Sequence, residues 1–339
     1  MLTRLLRTLA AACATLGFVA AAVAQNAAPP SGRPVEPQQM RDWLMRIHDA
    51  ARRRNFQGTF VVTAGGSVSS SRIAHFRDGP NQFERIESLD GRMRRVLRYN
   101  DVVYTLWPRS RTVLVEQRDG LTTFPALLRG GNDHIVDFYE LRAQGTDRVA
   151  GHEAHVLLLQ PRDAQRYGYR LWAESQTGLL LRAEVLNERN EVLEASAFSE
   201  VSIGVRPHPD SVLQPMRKLD GWRIVRPALV PAQLDAEGWT MRQRVPGFEP
   251  VSCVKRPLDG AAGAEAVEQV LQAIWSDGLT YVSLFIEPYD AERHLRPMQT
   301  TIGATQTLMQ RRGPWWITVV GDVPAATLAQ FARALERKP

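Results

Sequence analysis

NFQGTFVVTAGGSVSSSRIAHFRDG, residues 55–79, is the stretch whose reading decides the fold. Its β-branched and aromatic residues run with a period of two, and Gly65-Gly66 and Asp78-Gly79 supply the positive backbone angles that tight hairpins need. The same pattern continues downstream in Phe83 to Ile86, Val96 to Tyr99, Val102 to Leu106 and Val113 to Val115, with turns at Asp90-Gly91, Asn100-Asp101 and Asp119-Gly120. This predicts an antiparallel meander. Upstream the period changes: in residues 38–54, Met40, Trp43, Leu44, Ile47 and Ala51 recur at helical spacing, so one face of an early helix is expected to be buried.

Residues 121–134 interrupt the meander with Pro125, Leu127-Leu128 and Gly130-Gly131, too apolar for a plain solvent loop and too irregular for a strand, and are expected to cover something. Strands then resume at Ile135 to Leu141, Glu153 to Gln160, Tyr167 to Glu174, Leu179 to Leu186 and Val192 to Val205. One early helix and about ten strands predict a large curled sheet over residues 38–206. Pro207, Pro209 and Pro215 among polar residues mark 207–220 as a linker. A smaller α+β module is expected over 221–339. Its strands are placed at Trp239 to Val245, Pro250 to Lys255, Thr280 to Glu287, Thr305 to Arg311 and Trp316 to Val320, and a closing helix at Pro324 to Arg337.

The first 24 residues have the form of an export signal: Arg4 and Arg7, an apolar run from Leu5 to Ala22, and an A-x-A site at Ala22-Val23-Ala24. The mature chain is therefore expected to begin near Gln25, with a flexible Pro-rich lead over 25–37, and to be exported. Cleavage removes Cys13 and leaves Cys253 as the single thiol, so no disulfide can form within one mature chain and stability must come from packed cores. The chain carries a net charge of +6, spread along its length mainly in Arg. That distribution favours anionic partners, and export argues against nucleic acid.

No constellation for catalysis is found. Among seven histidines, His152 and His155 are the nearest to a cluster, but an offset of three on a strand points them to opposite faces. The serines after Gly65-Gly66 lack nucleophile-elbow spacing, and Cys253 reads as a small core residue. No phosphate-loop, dinucleotide or calcium-loop spacing occurs, so no cofactor and no metal are expected. The binding candidates are Arg92, Arg94, Arg95 and Arg98, of which Arg92, Arg94 and Arg98 share strand parity and could form a cationic stripe. The plainer reading is the solvated face of a half-buried strand. Trp107, Phe124, Leu127, Leu128, Phe138 and Tyr139 are candidates for the apolar inner side of the curled sheet. Of Trp315 and Trp316 only one can readily enter the core of a two-layer module, so the other needs the first domain, a partner or a local loop as its neighbour.

Three runs carry a family resemblance: Asn55 to Val62, Arg72 to Gly79 and Glu84 to Gly91, in the order N-[YF]-x-G-T-[FY], R-[IV]-x-H and E-R-[LI]-x-x-[LM]-[DS]-G. Together with Ser276 to Glu287 they resemble the MucB/RseB family of periplasmic sigma-factor regulators. The resemblance implies a half-open antiparallel β-barrel of the LolA/LolB kind, a smaller second domain and a tendency to self-associate. It implies a regulator that binds the periplasmic part of a membrane-spanning anti-sigma factor, shields it from regulated proteolysis and lets go when acyl chains of lipopolysaccharide or lipoproteins are sensed. A lipid or lipoprotein carrier and an envelope hydrolase are the competing classes. The first lacks a use for the extra domain, and the second lacks a nucleophile and base.

Overall fold

The structure, a computed structural model, describes residues 32–117, 135–257 and 269–338. Helix α1, Pro37–Arg53, starts on a proline at its first turn and ends with Arg52 and Arg53 beside its free carbonyls, both favourable at those ends. Met40, Leu44, Ile47 and Ala51 form its buried face, and Trp43 at the edge of that face is half-buried.

The first sheet is built from β1 Arg33–Pro34, β2 Phe56–Ala64, β3 Ser67–Asp78, β4 Asn81–Ser88, β5 Arg95–Tyr99, β6 Val102–Trp107, β7 Thr112–Gln117, β8 Tyr139–Val149, β9 His152–Pro161, β10 Gly168–Glu174, β11 Leu180–Leu186, β12 Val192–Ile203 and β13 Arg223–Val225. Their order is β1-β8-β9-β10-β11-β12-β2-β3-β4-β5-β6-β7-β13, and only the last pair is parallel. The sheet does not close on itself, so the expected half-open barrel is the architecture of this half of the chain. Its inner face packs Phe56, Ile73, Leu141, Leu157, Leu159 and Leu171 against α1. Gly58 sits at a bulge in β12, between Phe198 and Glu200, where a Cβ would fall 2.2 Å from the Glu200 carbonyl oxygen. Only glycine lets the two strands approach there.

The outer face has its own core. Phe76, Phe83, Leu97, Leu106 and Val113 lie beneath helix α3, Asp210–Arg217, whose Val212 is fully buried. The stretch expected as a linker thus carries a helix that packs on the sheet, because Val212, Leu213 and Met216 make one apolar face that the prolines do not interrupt. Ile135 to Leu141 also differs from expectation: α2, Ile135–Phe138, precedes β8.

The second sheet has strands β14 Val230–Pro231, β16 Glu249–Pro257, β17 Gln269–Ser276, β18 Tyr281–Pro288, β19 Met298–Ile302, β20 Thr305–Arg312 and β21 Trp315–Gly321, in the order β14-β16-β17-β18-β21-β20-β19. Helix α4, Ala325–Ala334, lays Leu328 and Phe331 on it, and the chain then leaves the helix as β22, Leu335–Arg337, to pair with β15, Trp239–Met241. Strand β17 escapes sequence reading because its apolar residues stand on both faces, Val270 and Ile274 on one and Leu271, Ala273 and Trp275 on the other, which hides the two-residue alternation.

Candidate functional site

Strand register assembles a row of polar side chains on the inner face: His75 stands opposite Glu84, Glu84 opposite Arg98, Arg98 opposite Val103, and Val103 opposite Glu116. His75, Glu84 and Arg98 are buried. A carbonyl can only accept, so the 2.8 Å contact of His75 Nδ1 with the Arg54 carbonyl makes Nδ1 the donor, and Nε2 then accepts from Gln82 Nε2 at 3.1 Å. Burial lowers the His75 pKa to about 4 and raises that of Glu84 to about 7, the latter opposed by the charge of Arg98. The neighbouring inner row is apolar: Ile73, Ile86, Val96 and Leu114, the last three half-buried, with Thr105 among them. The inner face thus sets an apolar row beside a row that holds buried charge.

The expected cationic stripe does not form. Strand β5 begins only at Arg95, so Arg92 and Arg94 lie in the preceding loop, exposed, where strand parity has no meaning. Arg95 and Arg98 face opposite sides. Arg95 Nε pairs with Glu87 Oε1 at 2.6 Å on the outer face, and Arg98 Nε donates to the Asn100 carbonyl at 2.6 Å on the inner one. Trp107 is half-buried at the end of β6. Phe124, Leu127 and Leu128 lie outside the described residues.

Phe138 and Tyr139 pack with the core of the first sheet's inner face and also reach the contact between the two sheets. The guanidinium carbon of Arg166 lies 4.4 Å from the Phe138 ring centre and 5.2 Å from that of Phe248. Arg166 Nε meets Asp277 Oδ2 at 3.2 Å, Nη1 meets Asp163 Oδ2 at 3.2 Å, and Nη2 donates to the Pro246 carbonyl at 2.7 Å. Tyr139 Oη donates to Asp277 Oδ2 at 3.4 Å. Asp277 also accepts from the backbone N–H groups of Leu279 and Thr280, at 3.0 and 2.9 Å, which shapes the β17–β18 turn and delivers Leu279 into the core of the first sheet. Burial raises the Asp277 pKa, with the two backbone donors and Arg166 pulling the other way. Gln306 Nε2 to Tyr167 Oη at 3.4 Å and Thr327 Oγ1 to the Gln165 carbonyl at 3.0 Å extend the contact. Sequence reading missed Arg166. Ser276-Asp277-Gly278 carries the signal of an Asx turn, but nothing in it names the distant arginine.

Both second-sheet tryptophans find local neighbours. Trp315 packs edge-on to Trp239 with ring centres 5.7 Å apart, and Trp316 on the opposite face stacks on His294 at 4.7 Å. His152 and His155 also diverge: one ring contacts the Val201 carbonyl at 3.2 Å, the other lies edge-on to Trp43 at 5.0 Å. Among the described residues no group of His, Cys, Asp and Glu is placed to hold a metal ion. Cys253 is half-buried, and burial raises its thiol pKa.

An open sheet with helices on both faces, joined to a second sheet by a buried arginine–aspartate contact, defines the class: β-rich proteins of two sheets whose first sheet is a half-open barrel. The chain belongs to the MucB/RseB family, matching the MucB/RseB N-terminal domain over residues 39–217 and the MucB/RseB C-terminal domain over residues 233–336. It is 31% identical to the sigma factor AlgU regulatory protein MucB of Pseudomonas aeruginosa, over 87% of this chain and 90% of that one. To the sigma-E factor regulatory protein RseB of Escherichia coli K12 it is 23% identical, over 86% of this chain and 89% of the relative. The solved MucA/MucB complex of Pseudomonas aeruginosa contains a chain that superposes with a TM-score of 0.68 at 27% identity, covering 89% of this chain and 99% of that one. A crystal structure of MucB in complex with MucA(peri) matches with a TM-score of 0.65 at 27% identity, over 88% and 98% of the two chains.

Proposed function

We propose that this protein is a periplasmic regulator of an envelope-stress sigma factor, which binds the periplasmic part of a membrane-spanning anti-sigma factor and is not an enzyme. The observation that carries the reading is the likeness, over both sheets, to the MucB chain solved together with MucA. Residues 38–206 and 221–339 act as two domains joined through 207–220, and together they clasp an extended segment of the anti-sigma factor and cover its cleavable peptide. Acyl chains of lipopolysaccharide or lipoproteins enter along the apolar inner row of the first sheet and favour a form that lets go. This requires the ligand to prefer that form, since equal affinity for both shifts nothing. Export by the signal at residues 1–24 delivers the chain to that compartment, nucleic acid has no part, and self-association is compatible with the scheme.

Calorimetry of the purified chain with the periplasmic segment of the cell's own anti-sigma factor, with and without lipopolysaccharide, tests the reading. Tight binding that the lipid weakens is the expected result. Uptake of lipid or lipoprotein without any binding of the anti-sigma segment would favour a carrier instead, and binding that lipid leaves unchanged would remove the release step.

A further inference from the structure

On the outer face of the first sheet, two adjoining cavities of about 440 and 280 Å³ share Arg85 as a common wall. The larger lies between the sheet and α3, with Arg95, Leu106, Asp210, Lys218 and Trp222 around it. The smaller continues across β3 and β2 to β12, past Arg72, Gln57, Glu200 and Val201. Arg85 is half-buried, and among the described residues it has no hydrogen bond and no ion pair. A partly desolvated guanidinium with all five donors unused is an open demand for an oxyanion.

The surrounding charges set which oxyanion. Arg95 is already met by Glu87 at 2.6 Å, and Lys218 is accompanied by Asp210 on the same wall. Across the smaller cavity Arg72 is accompanied by Glu200, whose Oε1 accepts from Thr59 Oγ1 at 2.8 Å. Four basic groups, Arg72, Arg85, Arg95 and Lys218, thus stand against three acidic ones, Glu87, Asp210 and Glu200, leaving a net charge of +1 that one carboxylate offsets in a two-pronged contact with Arg85. A phosphate dianion would turn that balance negative beside Asp210 and Glu200. Space on both sides of Arg85, with Leu106 and Trp222 on one side and Gln57 and Ser202 on the other, accommodates the residues before and after an acidic side chain.

We propose that these joined cavities are the docking groove for an extended, acidic polypeptide segment, with Arg85 receiving one of its carboxylates. The proposal rests on the functional reading above and assigns to the partner a place on the outer face, away from the apolar inner row. It is tested with the full chain and the periplasmic segment of the anti-sigma factor, using Arg85→Glu, Arg85→Gln and Arg72→Glu, each first checked for an unchanged unfolding midpoint. Arg85→Glu is expected to weaken binding about tenfold or more and Arg85→Gln less, as loss of a charge-assisted hydrogen bond implies. The unaltered chain should also lose affinity as salt rises, more steeply than Arg85→Glu. Binding of the unaltered chain that Arg85→Glu leaves intact overturns the groove and spares the functional reading. Failure of the unaltered chain to bind fails the reading and the groove with it. Competition by millimolar inorganic phosphate, abolished in Arg85→Gln, would assign the site to phosphate and overturn the polypeptide.

Discussion

The Nε of Arg166 and the Oδ2 of Asp277 stand 3.2 Å apart at the contact between the two sheets, and neither side chain is exposed. Each group would be costly to bury alone, and each is positioned by its own half of the chain. Removing one partner leaves the other charged and dry, so Arg166→Met or Asp277→Leu is expected to cost about 3–5 kcal/mol in urea unfolding. The double variant should recover much of that loss, because two apolar side chains need no counter-charge. Additive losses would show that the two residues do not act as a pair.

His75 and Glu84, opposite one another on β3 and β4, are expected to pull stability in opposite directions with pH. With a pKa of about 4 against an ordinary 6.5, His75 takes up a proton more readily in the unfolded chain. Its contribution is complete above the ordinary value and is lost as pH falls towards 4. Glu84, at about 7 against an ordinary 4.5, holds its proton better when folded, so its contribution is complete below the ordinary value and is lost as pH rises through 7. The two slopes oppose across their shared window. Urea midpoints of the unaltered chain should therefore change little there, whereas His75→Gln should lose stability and Glu84→Gln should gain it as pH rises, each by about 3 kcal/mol over the full range.

Gly247 has a backbone φ of +79°, and a Cβ at that position would lie 2.6 Å from Nη2 of Arg166 and 2.9 Å from the Phe138 ring. Gly247→Ala is expected to lower stability by about 1–3 kcal/mol through backbone strain and displacement of Arg166. Thermal unfolding of the two chains side by side checks this.

The meander and the early helix were legible because an amphipathic strand or helix writes its period directly into the chain, as in Phe56 to Asp78 and in Met40, Leu44 and Ile47. Where apolar residues stand on both faces, as with Val270 and Ile274 against Leu271, Ala273 and Trp275, no period remains to be read. Prolines in 207–220 suggested a linker, yet Val212 and its neighbours found an uncovered apolar face on β4 to β7. The binding candidates fared unevenly for a related reason. Parity assigned Arg92, Arg94 and Arg98 to one face, but parity holds only inside a strand, and the strand starts at Arg95.

The sequence was enough to fix a β-rich chain with a helical start and the motifs of a regulator family, because these depend on local periodicity and on short runs of residue types. Tertiary structure alone decided that Arg166 would lock onto Asp277, that His75, Glu84 and Arg98 would share a buried row, and that Arg85 would face a groove without a counter-ion. Such pairings join residues from nine to more than a hundred positions apart. They follow from strand register and from the packing of one sheet against the other, which no local pattern encodes.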